Sequence, residues 1–123
     1  MERIIQNNKI LLIEQDQTIL SISELDKGES VEVVLEGNLR NDTAHCLEDE
    51  LKVWVLFGKM LIVNMEKVRY LSQNCSQVFL SIQRTVDNSQ KGMLRLIKVP
   101  TEIMQEMREI GLAELLHVEE IEQ

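Results

Sequence analysis

The sequence predicts one α/β domain, a mixed β-sheet with helices packed on it. Three observations carry this prediction. Apolar runs at residues 31–36, 60–65 and 93–99 read as strands, and the segments between them carry apolar residues at helical spacing. The glycines fall at the boundaries of these segments, where turns are expected. A length of 123 residues suits a single core.

The elements follow in order. Lys9–Glu14 and residues 18–23 are short apolar runs separated by Gln15, Asp16 and Gln17, which predicts an N-terminal hairpin. Leu25-Asp26-Lys27-Gly28-Glu29 reads as a turn. The strand at 31–36 is closed by Gly37. Asn41 or Asp42 caps the first helix, whose apolar face is Ala44, Leu47, Leu51, Trp54 and Val55 and whose end is Gly58. Residues 60–65 are apolar almost throughout, the pattern of a strand covered on both faces. Val68, Tyr70 and Leu71 follow as a short turn with a second apolar group.

The second helix starts near residues 72–74, with Asn74 as its cap and Cys75, Val78, Phe79, Ile82 and Val86 on one face. Residues 87–92 read as a turn. Pro100 sits just inside the third helix, after the strand at 93–99. Ile103, Met104, Met107 and Ile110 form that helix's apolar face, and Glu102, Glu106 and Glu109 its solvated side. Gly111 ends it, and Leu115, Leu116, Val118 and Ile121 make a short final element.

Composition excludes several functions. A net charge of −8 disfavours nucleic acid and anionic membrane surfaces as partners. An aromatic content of 3% leaves no platform for stacking bases. No apolar run is long enough to insert in a bilayer, and the first residues lack the pattern of a signal peptide, so a cytoplasmic location is expected. Cys46 and Cys75 have no CxxC spacing and are expected to be reduced. His45 and His117 stand alone, without ligands at metal-binding spacing. There is no Gly-rich phosphate loop and no catalytic constellation, so neither a cofactor nor an enzyme is expected.

An ordered set of segments resembles the STAS domain family of bacterial anti-sigma factor antagonists. Val33-Val34-Leu35-Glu36-Gly37-Asn38-Leu39 is similar to the family's strand ending in a Gly-x-Leu turn. Thr43-Ala44 with its leucine ladder is similar to the first helix. Leu61-Ile62-Val63, then Val68 and Tyr70-Leu71, match the run before its switch. Gly92 through Pro100 and Gly111-Leu112-Ala113-Glu114-Leu115-Leu116 match the closing strand, helix and Gly-Leu signature. The resemblance covers residues 31–121 of one domain spanning 1–123, with residues 1–25 as an N-terminal extension of the sheet.

What the resemblance implies is a non-enzymatic regulator. Such domains bind an anti-sigma factor that is also a serine kinase, and phosphorylation at the start of the second helix breaks that binding. Related domains act in stress-signalling scaffolds, in transporter tails and beside lipid-transport ATPases. The family's Asp-Ser-Ser-Gly falls here on Ser72-Gln73-Asn74-Cys75, so the phosphoacceptor position is Asn74, which has no hydroxyl. The acid that ends the family's Gly-x-Leu-Asp turn falls on Arg40, and the Asp that ends its central strand falls on Asn64.

The expected partner surface joins the turn from Gly37 to Thr43, with Arg40 and Asn41, to Ser72, Gln73, Asn74 and Cys75. Arg40 supplies a positive contact, and Gln73 and Asn74 supply hydrogen bonds. Ser72 and Ser76 are the nearest hydroxyls for a displaced phosphorylation. Cys75 reads as a packing residue or as a thiol activated by the helix N-terminus. The partner is an anti-sigma factor or kinase-like protein, or another STAS protein. The alternatives are a self-assembling scaffold, a homodimer through the N-terminal edge strand, an accessory subunit of a lipid-transport ATPase, and a small-ligand or nucleotide-sensing module.

Overall fold

The computed structural model describes residues 1–122. Its elements run β1 (Glu2–Gln6), β2 (Lys9–Glu14), β3 (Gln17–Asp26), β4 (Ser30–Leu39), α1 (Ala44–Leu56), β5 (Met60–Leu71), α2 (Gln73–Ser89), β6 (Met93–Val99), α3 (Thr101–Glu109), α4 (Leu112–Leu115) and β7 (His117–Glu120). The strands form one sheet in chain order, β1 to β7. The first four are an antiparallel meander, and β4 to β7 are parallel.

The expected hairpin is β2–β3, closed by Gln15 and Asp16, both with positive φ (52° and 61°). That is the backbone of a tight two-residue hairpin turn, whose twist matches the strands it joins. The hairpin gains a third strand, β1, which pairs antiparallel with β2.

Parallel strands that are neighbours in sequence need crossover connections, and these take the right-handed path. All three crossovers therefore lie on one face of the sheet. Burial follows from this. Val31, Val33 and Leu35 of β4, Leu61, Val63 and Met65 of β5, and Leu94 and Leu96 of β6 are sealed beneath the helices. Val34, Ile62, Asn64 and Ile97 alternate with them and stay half-exposed on the other face. The expectation that 60–65 is covered on both faces is thus corrected: one face is open. Phe79 of α2 is among the largest fully buried side chains and packs with Leu47, Leu51 and Ile82 in the same core.

Several boundaries move. β4 runs through Gly37 to Leu39, because Gly37 lies within the β3–β4 pairing opposite Leu20. Its φ of 116° belongs to glycine, and a Cβ there would run into the Ile19 carbonyl oxygen. β5 continues to Leu71, absorbing the expected turn, with register shifts against β4 that restore inward positions at Val68 and Leu71. α2 extends to Ser89 through part of the expected turn and ends on Gln90 in the left-handed conformation. Pro100 precedes α3 instead of opening it. Ile110 lies past the end of α3 and is exposed, not part of its buried face.

Candidate functional site

Two chain exits lie side by side at the carboxyl end of the parallel strands. Leu39 of β4 pairs with Leu71 of β5, and the Ser72 N–H donates to the Leu39 carbonyl at 2.8 Å. After Leu39 the chain passes Arg40 into a 3₁₀ turn, Asn41–Thr43, and then α1. After Leu71 it passes Ser72 into α2. In open α/β sheets this end of the strands is where binding surfaces collect.

Ser72, not Asn74, caps α2. It is extended (φ −79°, ψ 163°), and its Oγ accepts the Cys75 N–H at 3.2 Å. The extra sheet bond to Leu39 holds Ser72 one residue before the helix, which moves the cap away from the expected Asn74.

The two exits are tied by hydrogen bonds. The Asn74 N–H donates to Asn41 Oδ1 at 3.3 Å. The Cys75 thiol donates to the Arg40 carbonyl at 3.3 Å, and the Thr43 hydroxyl donates to the same carbonyl at 3.0 Å. Thr43 Oγ1 and Cys75 Sγ lie 3.8 Å apart. At the start of α2, the amides of Asn74 and Cys75 are therefore already engaged. An incoming anion at this helix N-terminus competes with Asn41 and Ser72 for those donors.

Arg40 is also engaged. Its Nε donates to Asp42 Oδ1 at 3.0 Å, a second nitrogen donates to Asp42 Oδ2, and a contact to Glu14 Oε2 spans 3.1 Å. The hydrogen bond from Arg40 holds the Asp42 carboxyl below its ordinary pKa, and the bonds to Asp42 and Glu14 raise that of Arg40. The expected positive contact is thus a guanidinium clasped between two carboxylates.

Exposure sorts the remaining residues. Asn41, Asp42, Gln73 and Asn74 are exposed. Ser72 (2% exposed) and Ser76 (4%) are buried, and the Ser76 hydroxyl donates to the Ser72 carbonyl at 3.1 Å. Neither of the two hydroxyls expected for a displaced phosphorylation is at the surface in this conformation. Cys75 is fully buried, and burial pushes its thiol pKa up, partly offset by hydrogen bonds with Ser72 and Thr43. It is a packing residue and not the surface contact expected of it.

The family model described as Mlab, STAS domain matches residues 22–117. The chain belongs to the STAS domain family. Comparison with curated proteins gives no match. Solved structures share the STAS fold. An anti-sigma factor antagonist from Mycobacterium paratuberculosis superposes with a TM-score of 0.69 at 14% identity, over 88% of this chain and 90% of that one. The unphosphorylated anti-sigma factor antagonist SpoIIAA gives 0.66 at 13%, over 79% and 86%; the same protein in its phosphorylated form is described as a Bacillus cell fate determinant. TM1081 from Thermotoga maritima gives 0.62 at 16%, over 80% and 86%. At these identities the likeness establishes the fold.

On this STAS scaffold Arg40, Asn41, Ser72, Gln73, Asn74, Cys75 and Ser76 come together at one end, with Asn41, Gln73 and Asn74 exposed. Thr43 joins them as a buried polar link that the sequence reading had given no such role.

A second cluster also went unread. Glu24 shares the helix-facing row of β3 with Leu20 and Ile22, and it accepts a hydrogen bond from the Trp54 indole N–H. Glu50 of α1 lies beside it and is paired with Arg3 at 3.1 Å. A glutamate in register with two core residues was the available signal. Among the described residues, no helix is long and apolar enough to cross a membrane.

Proposed function

We propose that this STAS domain is a non-catalytic regulatory module that binds an anti-sigma factor or a related signalling protein. Its contact surface is formed by Asn41, Asp42, Gln73 and Asn74, and it lacks the usual phosphorylation switch. The observation that carries the reading is the Asn41–Asn74 hydrogen bond. It joins the two helix starts into one exposed patch at the position where the family resemblance puts the phosphoacceptor, with Asn41, Gln73 and Asn74 uncharged and Asp42 paired to Arg40.

The neighbouring hydroxyls of Ser72 and Ser76 are buried and bonded within the protein, which supports a patch without the usual phosphorylation switch. Residues 31–121 serve as the family core, and residues 1–25 extend its sheet. The ordinary location of such regulators supports a cytoplasmic role.

Asn74→Asp adds the charge that a phosphate would bring, and Asn74→Ser restores a hydroxyl. Capture from the native cell extract is expected to recover one partner with wild type and Asn74→Ser and to lose it with Asn74→Asp. An identical set with all three variants contradicts the reading.

A second reading is a scaffold or accessory subunit, including one of a lipid-transport ATPase. The hydrogen bonds from Asn74 to Asn41 and from Cys75 to Arg40, which tie the hinge together within the protein, favour it. A large assembly whose size is independent of concentration and of residue 74 is its signature.

A further inference from the structure

Beside the hinge, on the side away from α1, an open groove of about 530 Å³ runs between the first turns of α2 and the α3–α4 corner. Its floor is apolar, with Leu71, Met107 and Leu112 buried. Ile110 and Leu115 line it and are 65% and 63% exposed. Both lie in apolar patterns that predict burial, yet among the described residues none covers them. The left-handed turn at Gly111 (φ 78°), between α3 and α4, separates the two. Contiguous apolar surface rimmed by polar residues, here two exposed aliphatic side chains over a buried apolar floor, is the pattern of an interaction groove.

The charges select the occupant. Glu106 and Glu109 line the groove, and no lysine, arginine or histidine does. The nearest basic side chain of α3, Arg108, is turned away to Glu120 at 2.9 Å. Gln73 and Gln77 offer uncharged hydrogen-bonding groups on the opposite wall. This lining repels carboxylate and phosphate headgroups, which argues against fatty acids and anionic lipids. It complements an apolar ridge flanked by positive charge.

We infer that the groove seats an amphipathic helix of the partner protein, with aliphatic anchors on one face and lysine or arginine at its border. Such helices present anchors at i, i+3, i+4 and i+7 to grooves of this kind. The inference rests on the reading above that the partner docks at this end of the sheet, but it uses a different wall, formed by α3 and α4.

The test is an NMR titration of the ¹⁵N-labelled protein at physiological salt. Three peptides serve as probes: a helical leucine–lysine peptide, its leucine–glutamate counterpart, and a lysine–serine peptide of equal charge without apolar anchors. The leucine–lysine peptide is expected to bind and to shift the amides of Leu80, Ile110 and Leu115, while the other two bind far more weakly. Ile110→Ser with Leu115→Ser, both at exposed positions, is expected to weaken binding roughly tenfold or more. Glu106→Lys with Glu109→Lys is expected to weaken it while leaving the apolar floor intact.

Equal binding of the acidic peptide, shifts that map elsewhere on the surface, or a serine double variant that binds like wild type would each overturn the inference. Asn74→Asp is expected to keep peptide binding. Failure of the titration alongside intact Asn74-dependent capture removes the groove and leaves the hinge; the reverse result does the opposite.

Discussion

The backbone N–H of Asn74 and the side-chain oxygen of Asn41, 33 residues apart in sequence, are hydrogen-bonded at 3.3 Å. An orphan donor at the start of α2 is thereby satisfied by a side chain from the 3₁₀ turn before α1, which links the two helix starts.

Asn41→Ala removes the acceptor from an exposed bond. Global stability is expected to fall by no more than about 1 kcal/mol, since water replaces the lost partner. The local effect is larger. In hydrogen exchange the Asn74 amide is expected to lose protection, while the Cys75 amide, bonded to Ser72, keeps it. Equal protection of Asn74 in both proteins contradicts the link.

Gly37→Ala tests the β3–β4 approach. The added Cβ meets the Ile19 carbonyl, which belongs to backbone and cannot swing away, and φ is unfavourable for any L side chain. A loss of about 3 kcal/mol is expected, read from urea unfolding. A loss below the range of ordinary surface substitutions would show that the strands can part without cost.

The Glu24–Trp54–Glu50 cluster gives stability a pH dependence. Burial, and then the hydrogen bond and charge of Glu50, push the Glu24 carboxyl up to about 7 from an ordinary 4.5, against the opposing hydrogen bond from Trp54. The folded state thus holds a proton that the unfolded state has released between those pH values. Stability is therefore expected to fall as pH rises from about 4.5 to about 7 and to level off above. Glu24 is only half-buried, so solvent screening reduces the effect. Glu24→Gln keeps the shape and an acceptor for Trp54 and is expected to flatten this part of the profile. A wild-type melting temperature that rises from pH 5 to pH 8, after allowance for the remaining groups, contradicts the assignment.

The fold was legible where periodicity and resemblance agreed. The 3.6-residue spacing of Leu47, Leu51 and Val55 and of Val78, Phe79, Ile82 and Val86 marked α1 and α2 correctly, because those residues face one continuous core. Legibility failed where one residue's shift decides the outcome. The register shifts in β5 break alternation after Met65, so its second half reads as a turn although Val68 and Leu71 point inward. β1 has only Ile4 and Ile5 as apolar signal, and all five of its residues are exposed; it exists by pairing with β2.

At the site, residue identity located the hinge but not its exposure. Ser72 and Asn74 are both good caps in isolation, and only the tertiary bond from Ser72 to Leu39 chooses between them. Whether a serine is reachable or a cysteine buried depends on how α2 settles on the sheet, which spacing alone does not encode. The carboxylates around Arg40 come from β2 and from the adjoining turn, and Glu14 is remote in sequence.

On the proposed reading, the partner touches the exposed hinge at the starts of α1 and α2. The most direct measurement is site-specific photocrosslinking in the native cell extract. A photoreactive residue is placed in turn at Gln73, at Asn41 and, as a control, at Leu56, which is exposed at the far end of α1. One shared protein adduct is expected from positions 73 and 41 and none of it from position 56. The same adduct from position 56 alone, or equally from all three, would contradict it.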